Sequence, residues 1–400
     1  MTQRLDFVEL TASQSESMQR GATKFMRFSI YQPALLHMIQ VVSKAVAVRT
    51  TKQVLTGILI ETDASSLTLT AYDLELGIQD TIHSDESNRL DVTTPGSIVL
   101  PAKYLSEVVR KLPSDTVSIS VSNNYMTSIE CGQVEFHLHG IDSEEFPKLP
   151  LFQSGTQIQL PSNLLGDFIR TTTFAASTSE VRPVLTGTHV QYTDGTLNFT
   201  ATDGLRLATR TASFEGADIQ NWNAIIPSKS LSELGRLLPN DETPTNIQLT
   251  ESHSLFVIHD TYFYTRLIDG TYPDTSRIIP KAQRTEIHVN VKSMSSALDR
   301  AALIARDRDN HMVRLEVQGN TLTFSSSSPE IGNVSESVHA TEKEGEDFQI
   351  AFNAKYVLDA LSVFDDDEVV VRFNGSNQPF TIQQAEGDVG LQLISPVLMR

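Results

Sequence analysis

Two groups of residues in this 400-residue chain have types and spacing suited to chemistry. His137 and His139, in FHLHG, stand two apart, the interval at which a strand turns both imidazoles to one side as metal ligands. Asp365, Asp366, Asp367 and Glu368 form an oxygen-rich run of the kind that holds Mg²⁺. Lysines recur at positions 103, 229 and 355, an interval of 126 residues each time, which marks an internal repeat. The single cysteine, Cys131, has no basic or metal-ligand company to make it a reactive thiolate, and reads as a small buried hydrophobe in a reducing compartment. No phosphate-binding P-loop, dinucleotide G-x-G-x-x-G or nucleophile elbow occurs, and the carboxylates scatter without a catalytic pattern.

The elements that position these residues are repeated. The three lysines sit in LPAKYLSEVVRKL from Leu100, IPSKSLSELGRLL from Ile226 and FNAKYVLDALSVF from Phe352. Leu105, Val108, Val109 and Leu112 in the first copy, and Leu231, Leu234, Leu237 and Leu238 in the second, fall on one face of a helix. Pro113 and Pro239 close these two helices. A second block, VLTGILIETDASSLTLTAYD from Val54, returns as VLTGTHVQYTDGTLNFTATD from Val184 and more weakly as VRLEVQGNTLTFSSSSPE from Val313. Each copy is a pair of alternating strands around a polar turn such as Asp194-Gly195 or Gly319-Asn320, which predicts a β-hairpin. A third block opens each unit from Phe28, Ile158 and Ile287 as a strand running into a helix; Leu35, Ile39, Val42 and Val46 mark the buried stripe of the first. Alternating strands ending in IDSEEFP at Ile141 and IDGTYP at Ile268 complete the pattern. Each unit is strand, helix, strands, repeated once within itself.

The repeat weakens both metal leads. The counterparts of His137 and His139 are Tyr264 and Arg266, and the acidic run corresponds to Ser114-Asp115 and Asn240-Asp241-Glu242, solvated turns beyond the same helix. No metal and no cofactor is expected. The composition, 40% apolar and 20% charged, is that of an ordinary globular chain, and no apolar stretch reaches the roughly 20 residues of a membrane helix. A net charge of −18, from 31 basic and 49 acidic side chains, argues against a protein held on nucleic acid by a general positive surface. Segregated charge keeps DNA open as a partner. Residues 1–25 have mixed charge, no apolar core and no periodicity, so they read as a disordered leader, or as sequence upstream of a natural start at Met26.

TATDGLRLATR (200–210), LIDGTYPDTSRIIP (267–280), SSSSPEIGNVSE (325–336), FNAKYVLDAL (352–361) and the terminal LISPV (393–397) resemble the β subunits of bacterial DNA polymerase III, the β sliding clamps, most closely those of low-GC Gram-positive bacteria. The resemblance covers 26–400. It implies an α+β fold of three tandem DNA-clamp domains, at 26–150, 151–277 and 278–400, with helices lining a channel and antiparallel sheets outside. It implies a head-to-tail homodimer forming a closed ring around double-stranded DNA, a cytoplasmic, non-catalytic processivity factor of DNA replication with no membrane association. The DNA-facing cations would be Lys44, Arg49, Lys103, Arg110, Arg182 and Lys229, with Lys111, Arg170, Arg236, Arg300, Arg306 and Lys355 on the same helices. A ring that retains DNA by topology needs only weak, sequence-independent phosphate contacts, which reconciles the acidic balance with the role.

The resemblance further implies a partner-peptide pocket between the second and third units. The second would supply Leu185, Thr202, Gly204, Leu205, Arg206, Leu207, Pro273, Arg277 and Ile278; the third, Asn353, Tyr356, Leu393, Pro396 and Val397. Leu205 stands where relatives often carry His, and Leu398 where many carry Arg. The implied partners are the polymerase III α subunit or a PolC-type polymerase, the clamp loader, repair polymerases and mismatch-repair proteins. Two other classes remain as alternatives: a metal-dependent enzyme of nucleic-acid metabolism, which needs a carboxylate cluster, and a repeat scaffold that binds only proteins.

Overall fold

The structure, a computed structural model, describes residues 25–152, 155–213, 221–305, 311–364, 367–385 and 390–398. Residues 1–24 of the leader, Arg306, and Asp365 and Asp366 of the acidic run lie outside the described residues.

Among the described residues one order recurs six times: strand, helix, three-stranded meander. The first module is Met26–Tyr31, helix α1 (Gln32–Val42), then Gly57–Thr62, Ser66–Tyr72 and Leu76–His83. The second is Gly96–Pro101, α2 (Ala102–Lys111), Thr116–Val121, Met126–Cys131 and Val134–His139. The third is Thr156–Pro161, α3 (Ser162–Thr172), Gly187–Thr193, Thr196–Thr202 and Arg206–Ser213. The fourth is Trp222–Pro227, α4 (Ser228–Gly235), Pro244–Leu249, His253–Ile258 and Thr261–Arg266. The fifth is Thr285–Asn290, α5 (Val291–Ala305), Met312–Gln318, Thr321–Ser328 and Gly332–His339. The sixth is Phe348–Asn353, α6 (Ala354–Leu361), Glu368–Phe373, Phe380–Gln384 and Gly390–Ile394.

Modules pair by exchanging their first strands. Met26–Tyr31 lies against Thr116–Val121 of the second module, and Gly96–Pro101 lies against Gly57–Thr62 of the first. The same exchange links the third module with the fourth and the fifth with the sixth. A second kind of junction joins last strands. Thr261–Arg266 pairs antiparallel with Leu76–His83, with Phe263 opposite Ile78. Arg206–Ser213 pairs the same way with Gly390–Ile394, with Ala208 opposite Gln392. These junctions produce an eight-stranded and a nine-stranded sheet, beside a five- and a four-stranded one.

Two compact units result, and they do not follow the repeats. One comprises Met1–Asn163 and Arg236–Leu267; the other comprises Leu164–Gly235 and Ile268–Arg400. Sheet continuity across the last-strand junctions explains the division, because each long sheet lies within one unit.

Local chemistry sets the elements. Pro33 occupies the first turn of α1, where a missing N–H costs nothing, and the Asn353 side chain caps α6 by accepting from the Lys355 N–H at 2.9 Å. Leu35, Ile39 and Val42 form the buried stripe of α1, as expected, whereas Val46 lies beyond the helix and is only half-buried. Helix α4 ends at Gly235, so Leu237 and Leu238 fall outside the helical face that their spacing implies. Asp194 and Gly195 both take positive φ (49° and 79°), the pairing that a two-residue hairpin turn requires. A large apolar cluster gathers around α5 and α6, with Phe324, Phe352 and Leu298 fully buried.

Candidate functional site

A cleft of about 710 Å³ lies within the second compact unit, lined by α3, residues 174–178, the turn 203–206 and α6. Its geometry starts at the TDGLR turn. Gly204 has φ +91°, a conformation that disfavours a side chain. Asp203 Oδ1 accepts from the N–H groups of Leu205 (2.8 Å) and Arg206 (3.0 Å), and Thr202 Oγ1 accepts from Gly204 N–H (3.0 Å) while donating to the Arg206 carbonyl. The turn is thereby rigid. It holds Leu205 outward, 55% exposed, at the rim.

Arg206 forms the floor. Its Nε donates to Asp203 (3.0 Å), one terminal nitrogen to Asp359 Oδ2 (2.7 Å) and the other to the Phe174 carbonyl (2.7 Å). The guanidinium also lies over the rings of Tyr356 (4.5 Å) and Phe174 (5.5 Å). This arrangement satisfies the planar fork of Arg in a way that Lys could not. Lys355 completes the network at 2.9 Å from Asp359, and Arg170 donates to the Val363 carbonyl at 2.6 Å and to Asp167 at 2.9 Å. Burial, followed by the nearby Asp203, pushes the Tyr356 phenol above its ordinary pKa, so it stays neutral and able to donate. The result is an apolar slot of Phe174, Leu205, Tyr356 and Val363 with charges that are largely cross-paired.

The structure brings Leu205, Arg206 and Tyr356 together in the cleft, with Thr202, Gly204 and Asn353 shaping its turn and helix cap. Leu207 and Leu393 face each other across the Arg206–Ser213 junction and are buried (1% and 2% exposed), so they support the wall instead of lining it. Leu185 packs with Ile225 and Tyr272 in an adjoining apolar cluster. Pro396 and Val397 are half-buried in the C-terminal segment, whose Ser395 N–H donates to the Leu205 carbonyl and Val397 N–H to that of Ala351. Pro273, Arg277 and Ile278 lie on an exposed connector outside the cleft lining, with Arg277 paired to Asp274 at 3.0 Å. Sequence reasoning missed Phe174, Asp359 and Tyr272. Asp359 is four residues after Lys355 on a helix, a spacing that signals an ion pair.

Of the cations expected to meet DNA, Lys103 and Arg110 are exposed on α2 and Lys229 on α4. Lys44 is exposed in a short 3₁₀ turn, and Arg49 and Arg182 in loops. Arg170 and Arg300 are engaged in ion pairs, the latter donating to Glu336 at 2.7 Å. His137 and His139 share one face of the strand Val134–His139, where His137 lies 3.3 Å from Glu135. Among the described residues no group of three or more His, Cys, Asp or Glu is arranged to hold a metal ion.

Three family models cover nearly the whole chain: the N-terminal domain of the DNA polymerase III β subunit over 26–150, the central domain over 159–274 and the C-terminal domain over 276–398. The chain belongs to the DNA polymerase III β subunit family. It is 42% identical over 375 residues to the β sliding clamp of Bacillus subtilis, covering 93% of this chain and 99% of that relative, and 37% identical to that of Staphylococcus epidermidis with the same coverage. The crystal structure of the Bacillus subtilis DNA polymerase sliding clamp superposes with a TM-score of 0.89 at 41% identity, covering 94% of this chain and all of that one. A Pseudomonas aeruginosa sliding clamp bound to griselimycin superposes with a TM-score of 0.86 at 27% identity over 95% of this chain and all of that one. The fold is α+β, three tandem clamp domains, and the role is that of the family: a processivity clamp of DNA replication without catalysis of its own.

Proposed function

We propose that two copies of the chain close head to tail into a ring around duplex DNA, and that the Arg206 cleft docks peptide segments of the proteins the ring tethers. The pairing pattern of last strands carries this reading. Of the six last strands, four pair at the two junctions already described; Val134–His139 and Gly332–His339 remain at sheet edges. Pairing them between copies makes a third junction of the same kind, and a heterologous contact of this sort closes a ring when the rotation allows. It also covers edges that would otherwise invite aggregation. Val134 and Phe136 are exposed apolar side chains on that edge. Transferring the register of the two observed junctions places Phe136, the repeat counterpart of Phe263, opposite Val334, the counterpart of Ala208 and Ile78.

The exposed Lys44, Arg49, Lys103, Arg110, Arg182 and Lys229 then meet phosphates without reading sequence. The cleft suits an extended peptide with apolar anchors, because its own charges are already satisfied. Leu185, Leu207, Leu393, Pro396 and Val397 brace it, and Pro273, Arg277 and Ile278 offer an outer rim. Repeats spanning 26–150, 151–277 and 278–400, cytoplasmic action, and partners among the replicative polymerase, clamp loader, repair polymerases and mismatch-repair proteins complete the reading. Light scattering tests the assembly: twice 44.2 kDa is expected, and a stable monomer would refute the ring.

A further inference from the structure

The docking turn is tied to a residue outside the cleft. Tyr272 is 8% exposed, and its hydroxyl accepts the backbone N–H of Thr202 at 3.0 Å. Its ring stacks on His189 with centroids 5.0 Å apart and planes 13° from parallel, and packs with Leu185 and Ile225. Thr202 in turn holds Gly204 and Arg206 through its own hydroxyl. One hydrogen-bonded chain therefore runs from Tyr272 through Thr202 to the residue that forms the floor of the cleft.

The repeat supplies an internal control. The counterpart of Tyr272, each residue immediately preceding a proline in the ID-motif, is Phe146, which is buried against Leu55, Val99 and Tyr72 but carries no hydroxyl. The counterpart of Thr202 there is Tyr72, whose own hydroxyl donates to the Leu74 carbonyl at 3.3 Å. Packing alone is thus satisfied by Phe. The hydroxyl occurs in the repeat whose turn lines the cleft, where it accepts a buried backbone N–H.

We propose that Tyr272 is a positioning residue of the docking cleft, its hydroxyl fixing the 202–206 turn and hence the placement of Leu205 and Arg206. This rests on the docking reading above. The test compares the full-length chain with Tyr272→Phe, using griselimycin as the probe in calorimetry and following amide hydrogen exchange of residues 202–206. The expected result is about tenfold weaker binding, the scale of one buried donor left unpaired. Exchange at Thr202 should quicken, with the thermal midpoint lowered by no more than a few degrees and the solution mass unchanged. Equal affinity of the two proteins overturns the inference and leaves the docking reading standing. Griselimycin, the ligand of a Pseudomonas aeruginosa sliding clamp, reports on the cleft if Leu205→Asp weakens its binding; no binding by the unmodified chain, or binding that Leu205→Asp leaves unchanged, overturns the docking reading and this inference with it. Weaker binding accompanied by a large fall in melting temperature or a change in mass assigns Tyr272 a structural role only and also overturns the proposal.

Discussion

Replacing Arg206 by Ala removes three hydrogen bonds and two ring contacts at once. Two of those bonds go to carboxylates, at 3.0 and 2.7 Å, and one to a carbonyl at 2.7 Å, from a side chain only 11% exposed. Removing one member of a fully buried ion pair costs on the order of 3–5 kcal/mol. Here the damage is smaller, because Asp359 keeps Lys355 and Asp203 keeps two backbone N–H groups, and their side chains are 26% and 15% exposed. The expected loss is about 2–3 kcal/mol. Trp222, the single tryptophan, lies in the same compact unit, so its fluorescence during urea unfolding reports this loss as a lowered midpoint. Arg206→Lys should recover less than half, since an ammonium cannot serve three acceptors in a plane. A loss under about 0.5 kcal/mol, the scale of an exposed surface pair, would refute the assignment of Arg206 as the floor of the cleft.

Three further outcomes are expected. Phe136→Lys should yield a monomer of 44.2 kDa by light scattering; in cross-linking, Phe136→Cys paired with Val334→Cys should join two copies and Phe136→Cys paired with Val338→Cys should not. Asp80 is buried and accepts from the Thr261 hydroxyl at 2.7 Å; burial raises its pKa, so the folded state binds a proton more readily than the unfolded one. Its contribution to stability is therefore fully present below the ordinary carboxylate pKa and lost as pH rises through the folded value, and Asp80→Asn should stabilise the protein near pH 7 with a gain that vanishes in acid. Leu74, the repeat counterpart of Gly204, has φ +82°, so Leu74→Gly should raise stability by about 0.5–1 kcal/mol in thermal unfolding.

Periodicity made much of this legible. The doubled strand–helix–strands unit was readable because apolar residues must alternate on half-buried strands and recur every three to four residues on helices, and the Asp194-Gly195 turn was readable because only certain residues accept positive φ. Helix ends were less so: α4 stops at Gly235, four residues before Pro239. The strand exchange between modules, and the last-strand junctions that cut across repeats, rest on long-range pairing that no local pattern encodes. The same holds at the cleft. TDGLR announced a tight turn, and the resemblance placed Arg206 and Tyr356 near each other, but the Asp359 and Phe174 carbonyl partners of Arg206 come from elements 153 and 32 residues away. Leu207 and Leu393 carry apolar side chains suited equally to a pocket and to a wall, and only their cross-strand burial distinguishes the two.

Retention on DNA tests the central claim most directly. The chain is loaded onto nicked circular DNA, and the bound fraction is measured by gel filtration before and after linearisation with a restriction enzyme. A ring that encloses the duplex stays on the circle and runs off the ends once they are cut. Equal retention on circular and linear DNA would contradict topological enclosure.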